Sequence, residues 1–170
     1  NQIQGTLPTR WSKSDFNLVF FISSSFELES IAENIADLPY DQPECIRRLV
    51  ATFSDIKMYV RVHPNADVTF NLSLMSLSTL PTVTVLKSSD PVDTYALVKA
   101  ADLVLTFAST VGVEAAYHKK PVILVGSGAH YQRFGCVADV KNHDDLIFDH
   151  DFCSTIKSSK VFRQILVAYD

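Results

Sequence analysis

Short apolar runs punctuate this chain, and nearly every one stops at a cluster of polar residues. Leu18-Val19-Phe20-Phe21-Ile22 gives way to Ser23-Ser24-Ser25, and Met58-Tyr59-Val60-Arg61-Val62 to His63-Pro64. Thr82-Val83-Thr84-Val85-Leu86 is followed by Ser88-Ser89-Asp90, Leu103-Val104-Leu105-Thr106 by Ala108-Ser109-Thr110, and Pro121-Val122-Ile123-Leu124-Val125 by Gly126. Runs of this length with little polar alternation fit strands buried on both faces, as in parallel sheets. Helical spacing fills the intervals. Pro43 suits a first helical position, and Ile46, Leu49, Val50 and Phe53 follow on one face. Asp90-Pro91 opens a second helix with Val92, Tyr95, Ala96 and Val98, and Ser109-Thr110 a third with Val113, Ala116 and Tyr117. Residues 65–80 have room for a short helix, 127–143 read as loop around Gly128 and Gly135, and Ile156, Phe162, Ile165 and Leu166 share a helical face in the tail.

Strands alternating with helices predict βαβ units. The expected fold is α/β: a Rossmann-like, doubly wound, mainly parallel sheet of about five to six strands. Residues 1–16, polar and carrying Gly5 and Pro8, read as a lead-in or linker, and 17–170 as one domain.

Composition narrows the function. A net charge of −4 without a Lys/Arg run gives no electrostatic basis for nucleic-acid binding. Three scattered cysteines with no CxxC argue against a disulfide framework or a thiolate zinc site and favour a reducing, cytoplasmic setting. No apolar run approaches the ~20 residues of a membrane-spanning helix. The amino end has neither a signal-like pattern nor Met, so the chain is expected to be part of something longer. Both the GxGxxG and the GxxxxGK[ST] phosphate-binding patterns are absent. His143, Asp144, Asp145, Asp149, His150 and Asp151 match no metal-binding spacing and read as a solvated acidic surface, so no metal is expected.

In open α/β sheets, ligands bind beyond the carboxyl ends of the strands. The polar clusters at Ser23–Ser25, Arg61–Pro64, Ser88–Asp90 and Ala108–Thr110 should therefore meet along one rim. Ser109 and Thr110, at a helix start, suit a phosphate; on that pair alone an ordinary N-cap is the stronger reading. His63 suits a hydrogen bond or a charge to a phosphate oxygen, and Pro64 offers an apolar face to a base. Asp90 has two readings, a ribose acceptor or the cap of the following helix, with Pro91 and Asp93 in its first turn. Glu114 either reaches a ribose or sugar or complements the helix dipole. Ser23, Ser24 and Arg61, and Tyr131 in the loop with His130 and Arg133, are candidate donor contacts; for the serines, a turn with Glu27 or Glu29 competes.

Taken in order, Arg61-Val62-His63-Pro64-Asn65, Asp93-Thr94-Tyr95-Ala96-Leu97, Ala101-Asp102, Ser109-Thr110-Val111-Gly112-Val113-Glu114-Ala115 and Lys120-Pro121-Val122 form a series. It resembles the carboxyl-terminal domain of GT-B-fold glycosyltransferases, most of all the bacterial capsule and lipopolysaccharide group that includes Kdo transferases, over about residues 17–140. The resemblance implies one lobe of a two-lobed, metal-independent transferase that needs no cofactor and moves a sugar from a CMP- or UDP-linked donor to a glycan or glycolipid acceptor. It implies phosphate contacts from His63, the residue expected to act in catalysis, and from Ser109 and Thr110, with Pro64 near the base. Here Ser-Thr stands where the CMP-sugar enzymes have Ser-Ser. Asp90 fits the ribose-binding acid of CMP-sugar enzymes and Glu114 that of UDP-sugar relatives, so the nucleotide stays open. The acceptor-binding amino-terminal lobe is missing, and the full enzyme is expected in the cytoplasm, with peripheral association at the inner membrane face. CDP-glycerol transferases, UDP-N-acetylglucosamine epimerases and a non-catalytic nucleotide-binding or interaction module are the competing readings.

Overall fold

The computed structural model describes residues 2–24, 27–28, 41–52, 56–66, 68–107, 109–125 and 129–140. Six parallel strands form one sheet: β1 (Asn17–Phe21), β2 (Lys57–Arg61), β3 (Val83–Leu86), β4 (Leu103–Thr106), β5 (Val122–Val125) and β6 (Ala138–Val140). Their order across the sheet is β3-β2-β1-β4-β5-β6. The fold is α/β and Rossmann-like, as the apolar runs predict. β6 is a gain over that expectation, lying inside the stretch read as loop. Its backbone pairs with β5 from Ile123↔Ala138 to Val125↔Val140. The acidic stretch and the tail helix expected from the sequence lie outside the described residues, as does Phe53.

Side-chain alternation along β1 divides the core in two. Leu18, Phe20 and Ile22 point to one face, where Met58, Val60 and Val62 of the β2 segment join them. Helix α1 (Gln42–Thr52) covers that face with Cys45, Ile46 and Leu49, and α2 (Val68–Ser76) adds Leu74. Burial among these apolar side chains pushes the Cys45 thiol far above its usual range. Val19 and Phe21 point the other way, with Tyr59 and Val104. There α3 (Thr94–Ala100) packs Leu97 and Val98, and α4 (Val111–Tyr117) packs Ala115. With period 2, every strand residue is committed to one helix layer or the other.

The second helix starts later than the sequence suggests. Asp90 does not cap it; its carboxylate accepts the Lys87 N–H at 2.8 Å and closes the turn after β3. Asp93 is the N-cap of α3 and accepts from the Tyr95 N–H at 2.9 Å. A short side chain at the residue just before the first helical turn is what the free N–H groups require.

Residues 2–16, expected to be a lead-in or linker, lie against α3 and β2. Ile3 N–H donates to Pro91 C=O, Asp93 N–H donates to Thr6 C=O, and Gly5 N–H donates to the Asp93 carboxylate at 2.7 Å. Leu7 and Trp11 pack onto the second core, with the Trp11 ring 4.6 Å from that of Tyr59. Gly5 takes a positive φ of 76°, a conformation side-chain-bearing residues avoid.

The Gly5 N–H above all, then those of Tyr95 and Ala96 and the Lys99 charge, hold the Asp93 carboxyl below the usual carboxylate range. A depressed folded-state value means stabilisation that is complete above the unfolded value of about 4 and lost as pH falls through the folded value. Protection of the Gly5 amide from exchange should therefore fall with acidification below that point. Asp93→Ala should show low Gly5 protection already at neutral pH. Equal protection at neutral and acid pH would remove Asp93 as the latch of this segment.

Candidate functional site: a cleft where the strand order reverses

From β1 the sheet grows through β2 and β3 on one side and through β4 to β6 on the other. Chain leaving the carboxyl ends of β1 and β4 therefore turns toward opposite faces and leaves a crevice between them. A cleft of about 210 Å³ sits there. Phe21 and Ile22 from the end of β1, Arg61 through Pro64 from β2, Ser88 beyond β3, and Ser109 through Val111 beyond β4 line it. Glu27, Thr94 and Gln2 complete the wall. Register explains the convergence: Phe21 stands level with Arg61 on one side and Thr106 on the other.

His63 is partly buried, its side chain 21% exposed. Its Nδ1 accepts the Asn65 N–H at 3.1 Å, which in the neutral ring leaves the proton on Nε2. Nε2 lies 3.7 Å from a Glu27 carboxylate oxygen. Glu27 is itself fixed. Ser24 N–H donates to it at 3.0 Å, and Glu27 N–H donates back to the Ser24 hydroxyl at 3.2 Å, a reciprocal capping box. Ser24 thus caps a helix start and does not line the cleft. Ser23, fully buried, has its N–H and C=O both bonded to the Gln42 side-chain amide, at 3.0 and 2.9 Å. The turn with Glu27 is the reading the geometry favours for Ser24, while Ser23 is held by Gln42.

Ser109 and Thr110 stand at the opposite wall. Ser109 N–H donates to the Thr106 hydroxyl at 3.2 Å, and the Ser109 hydroxyl accepts from Val111 N–H at 3.4 Å. Thr110 is exposed, and among the described residues neither its N–H nor its hydroxyl makes a hydrogen bond. Tyr131 is buried behind this turn, and its hydroxyl donates to Ser109 C=O at 2.7 Å. It supports the loop rather than lining the cleft. Gly112 is explained by the same contact: a Cβ there would press against the Tyr131 hydroxyl and Thr106 Cγ2.

Arg61 is 6% exposed and donates to Lys87 C=O at 2.6 Å and Val92 C=O at 3.4 Å. Desolvation lowers its pKa from the usual arginine range, and Asp90 partly offsets this. Neither Asp90 nor Glu114 lines the cleft; Asp90 closes its turn, and Glu114 lies within α4. Reasoning from sequence missed Gln2 and Thr94. Gln2 Oε1 accepts the Thr94 N–H at 3.0 Å and Gln2 Nε2 donates to the Thr94 hydroxyl at 3.1 Å, a pairing across the chain that no local pattern announces. Ser88 belonged to an expected cluster, and Glu27 was legible as a capping acid.

Other residues of the recurring series hold the amino-terminal edge of the sheet. Asp102 accepts the Asn17 N–H at 2.8 Å, and Lys120 Nζ donates to Ala101 C=O at 3.0 Å. Burial lowers the Lys120 pKa, and Asp102 opposes the shift. Among the described residues no cluster of His, Cys, Asp and Glu is arranged to hold a metal, and no helix is long and apolar enough to cross a membrane.

No protein-family model matches the chain, and no curated protein matches it in sequence. Solved structures do match in fold. The Neisseria meningitidis UDP-GlcNAc 2-epimerase bound to UDP-GlcNAc superposes with a TM-score of 0.58 at 14% identity, over 89% of this chain and 38% of the epimerase. The Thermosulfurimonas dismutans KpsC β-Kdo 2,4 transferase gives 0.52 at 17% identity, over 83% and 46%. The calicheamicin glycosyltransferase CalG4 gives 0.60 at 17% identity, over 96% and 40%. The fold is thus the α/β, Rossmann-like lobe found in GT-B glycosyltransferases and in structurally similar epimerases. The chain spans about two fifths of the length of the solved structures it matches.

Gly112→Ala should destabilise the chain by about 1–3 kcal/mol through overpacking against Tyr131. Adding Tyr131→Phe removes the nearest atom and should recover part of the loss, read from paired denaturant titrations. Strictly additive losses in the double variant would show that Gly112 is retained for another reason.

Proposed function

We propose that this chain is the donor-binding lobe of a glycosyltransferase acting on a nucleotide-sugar, and that the cleft holds the nucleotide. One observation carries the reading: His63 and Pro64 from the end of β2 and Ser109 and Thr110 from the end of β4 line the same cavity at the strand-order reversal. The structural neighbours support it, since the Neisseria epimerase was solved with UDP-GlcNAc and KpsC is a Kdo transferase by its own description.

In this reading the Thr110 N–H and hydroxyl and the Ser109 hydroxyl bind a phosphate oxygen. His63 faces the same oxygens. With Nδ1 accepting the Asn65 N–H, its Nε2 proton is available to donate to them. As the sugar leaves, charge grows on the phosphate, and donors already aimed at that point stabilise it without rearranging. The helix dipole contributes little, because α4 is only seven residues long. Pro64 borders the base, and Asp90, in the turn after β3, and Glu114, in α4, stay as alternative ribose partners although neither lines the cleft. No metal or further cofactor enters. The acceptor, a surface glycan or glycolipid at the inner membrane face, would bind a second lobe.

A second reading has its own support: the epimerase matches as well as the transferases do, so the same lobe could serve an enzyme that rearranges the donor sugar. Incubation of the full-length protein with UDP-GlcNAc separates the two, since epimerisation yields a new UDP-sugar without an acceptor and transfer releases free nucleotide only with one.

Calorimetric or NMR titration of this chain with CMP, CDP and UDP should reveal binding to at least one. His63→Ala and Ser109→Ala should each weaken it about ten- to a hundredfold, the range for a hydrogen bond to a charged group. Unchanged affinity in both variants would remove the site assignment, and failure of every nucleotide to bind at millimolar concentration would favour a non-catalytic module.

A further inference from the structure

We infer that Arg61 is a second anion seat in the cleft, so that the site is built for a nucleoside diphosphate rather than a monophosphate. The inference rests on the nucleotide reading above and deepens it.

The fold buries a full positive charge at the cleft wall without a carboxylate in direct contact among the described residues. Arg61 is 6% exposed and lines the cleft. A guanidinium carries five N–H donors and keeps its charge at any working pH. Two carbonyls, of Lys87 and Val92, accept from it. Among the described residues, no carboxylate forms an ion pair with it. Asp90 is near enough to favour the charged form, but it closes the turn after β3 and stands outside ion-pair contact with the guanidinium. Carbonyl dipoles satisfy donors without cancelling a full charge, and an uncompensated buried cation is costly. Such a cost is sustained where a ligand supplies the counter-charge, and the guanidinium fork suits phosphate oxygens better than any other side chain.

Placement then selects the ligand. Arg61 ends β2, level with Phe21 and Leu86, and Val62 N–H still pairs with Leu86 C=O. His63 follows in nearly extended chain, so the two backbone positions are on the order of 7 Å apart. His63 faces Ser109 and Thr110 across the cavity, while Arg61 is tied to the β3–α3 connection by its carbonyl contacts. One phosphate at the His63 end leaves Arg61 without an anion in contact. Two linked phosphates reach both seats at once.

The test compares UMP and CMP with UDP and CDP on the 170-residue chain, with inorganic phosphate and pyrophosphate as competitors. The wild type should prefer diphosphates by about tenfold or more. Arg61→Gln should abolish that preference, costing diphosphate affinity at least about tenfold more than monophosphate affinity. Because Arg61 also braces a loop, Arg61→Lys serves as a charge-retaining control and should keep part of the preference. Amide spectra check that both variants fold; if Arg61→Gln does not, the wild-type preference and its loss of degree in Arg61→Lys decide. Nucleotide binding with no diphosphate preference would overturn this inference and leave the donor-lobe reading standing. Pyrophosphate binding that depends on Arg61, with no nucleotide bound, would sink the donor-lobe reading and uphold the anion seat. Equal loss of mono- and diphosphate affinity in folded Arg61→Gln would reduce Arg61 to a brace for the loop.

Discussion

Everything here depends on a central strand buried on both faces between two parallel neighbours. β1 offers water neither face, and its pairing groups are taken by β2 and β4. Parallel neighbours cannot be joined by hairpins, so the chain must leave the sheet and return each time. It does so under one face for β1 to β3 and under the other from β3 onward. The crevice is the geometric remainder of that change of side: among the described residues, the helices that follow β1 and β4 lie on opposite faces of the sheet. The site thus follows from how the hydrophobic core is closed, before any particular side chain is considered.

The two edges of the sheet are put to different uses. At the amino-terminal edge, polar side chains are spent on backbone groups, Asp102 on Asn17 and Lys120 on Ala101. At the carboxyl-terminal edge several polar groups are held in place but not consumed. His63 lines the cavity and is oriented through Nδ1, with Nε2 3.7 Å from Glu27, and Thr110 has its donors free among the described residues. Ser24, Gln42 and Tyr131 do the holding. This separation between groups that brace and groups that face open space defines the candidate site better than residue type does.

Fold alone does not choose the chemistry. One lobe architecture recurs in an epimerase, a Kdo transferase and an antibiotic glycosyltransferase at sequence identities where only the backbone path is shared. What these proteins have in common with the present chain is the fold of this lobe. Chemistry on such a lobe depends on a few side chains at strand ends, which here include the buried Arg61 and His63 beside Glu27.

By itself the sequence determined the strands, the parallel character of the sheet and the edge where chemistry could sit. Those properties are local: an unbroken apolar run can be satisfied only between two helix layers, and the polar residues that end it must emerge at the same edge as those ending its parallel neighbours. Tertiary structure decided which of those polar residues face the cleft. Ser23 and Ser24 were indistinguishable in sequence from Ser109 and Thr110, but Gln42 and Glu27 claim the first pair, while the second has open space before it. Asp90 could not be told from Asp93 as a cap until the helix start was placed, and a three-residue edge strand carries too little pattern to announce itself. Gln2 reaches Thr94 across 92 residues of chain that include β1 to β3. Contacts of that kind depend on how layers come together in space, which short-range periodicity does not encode.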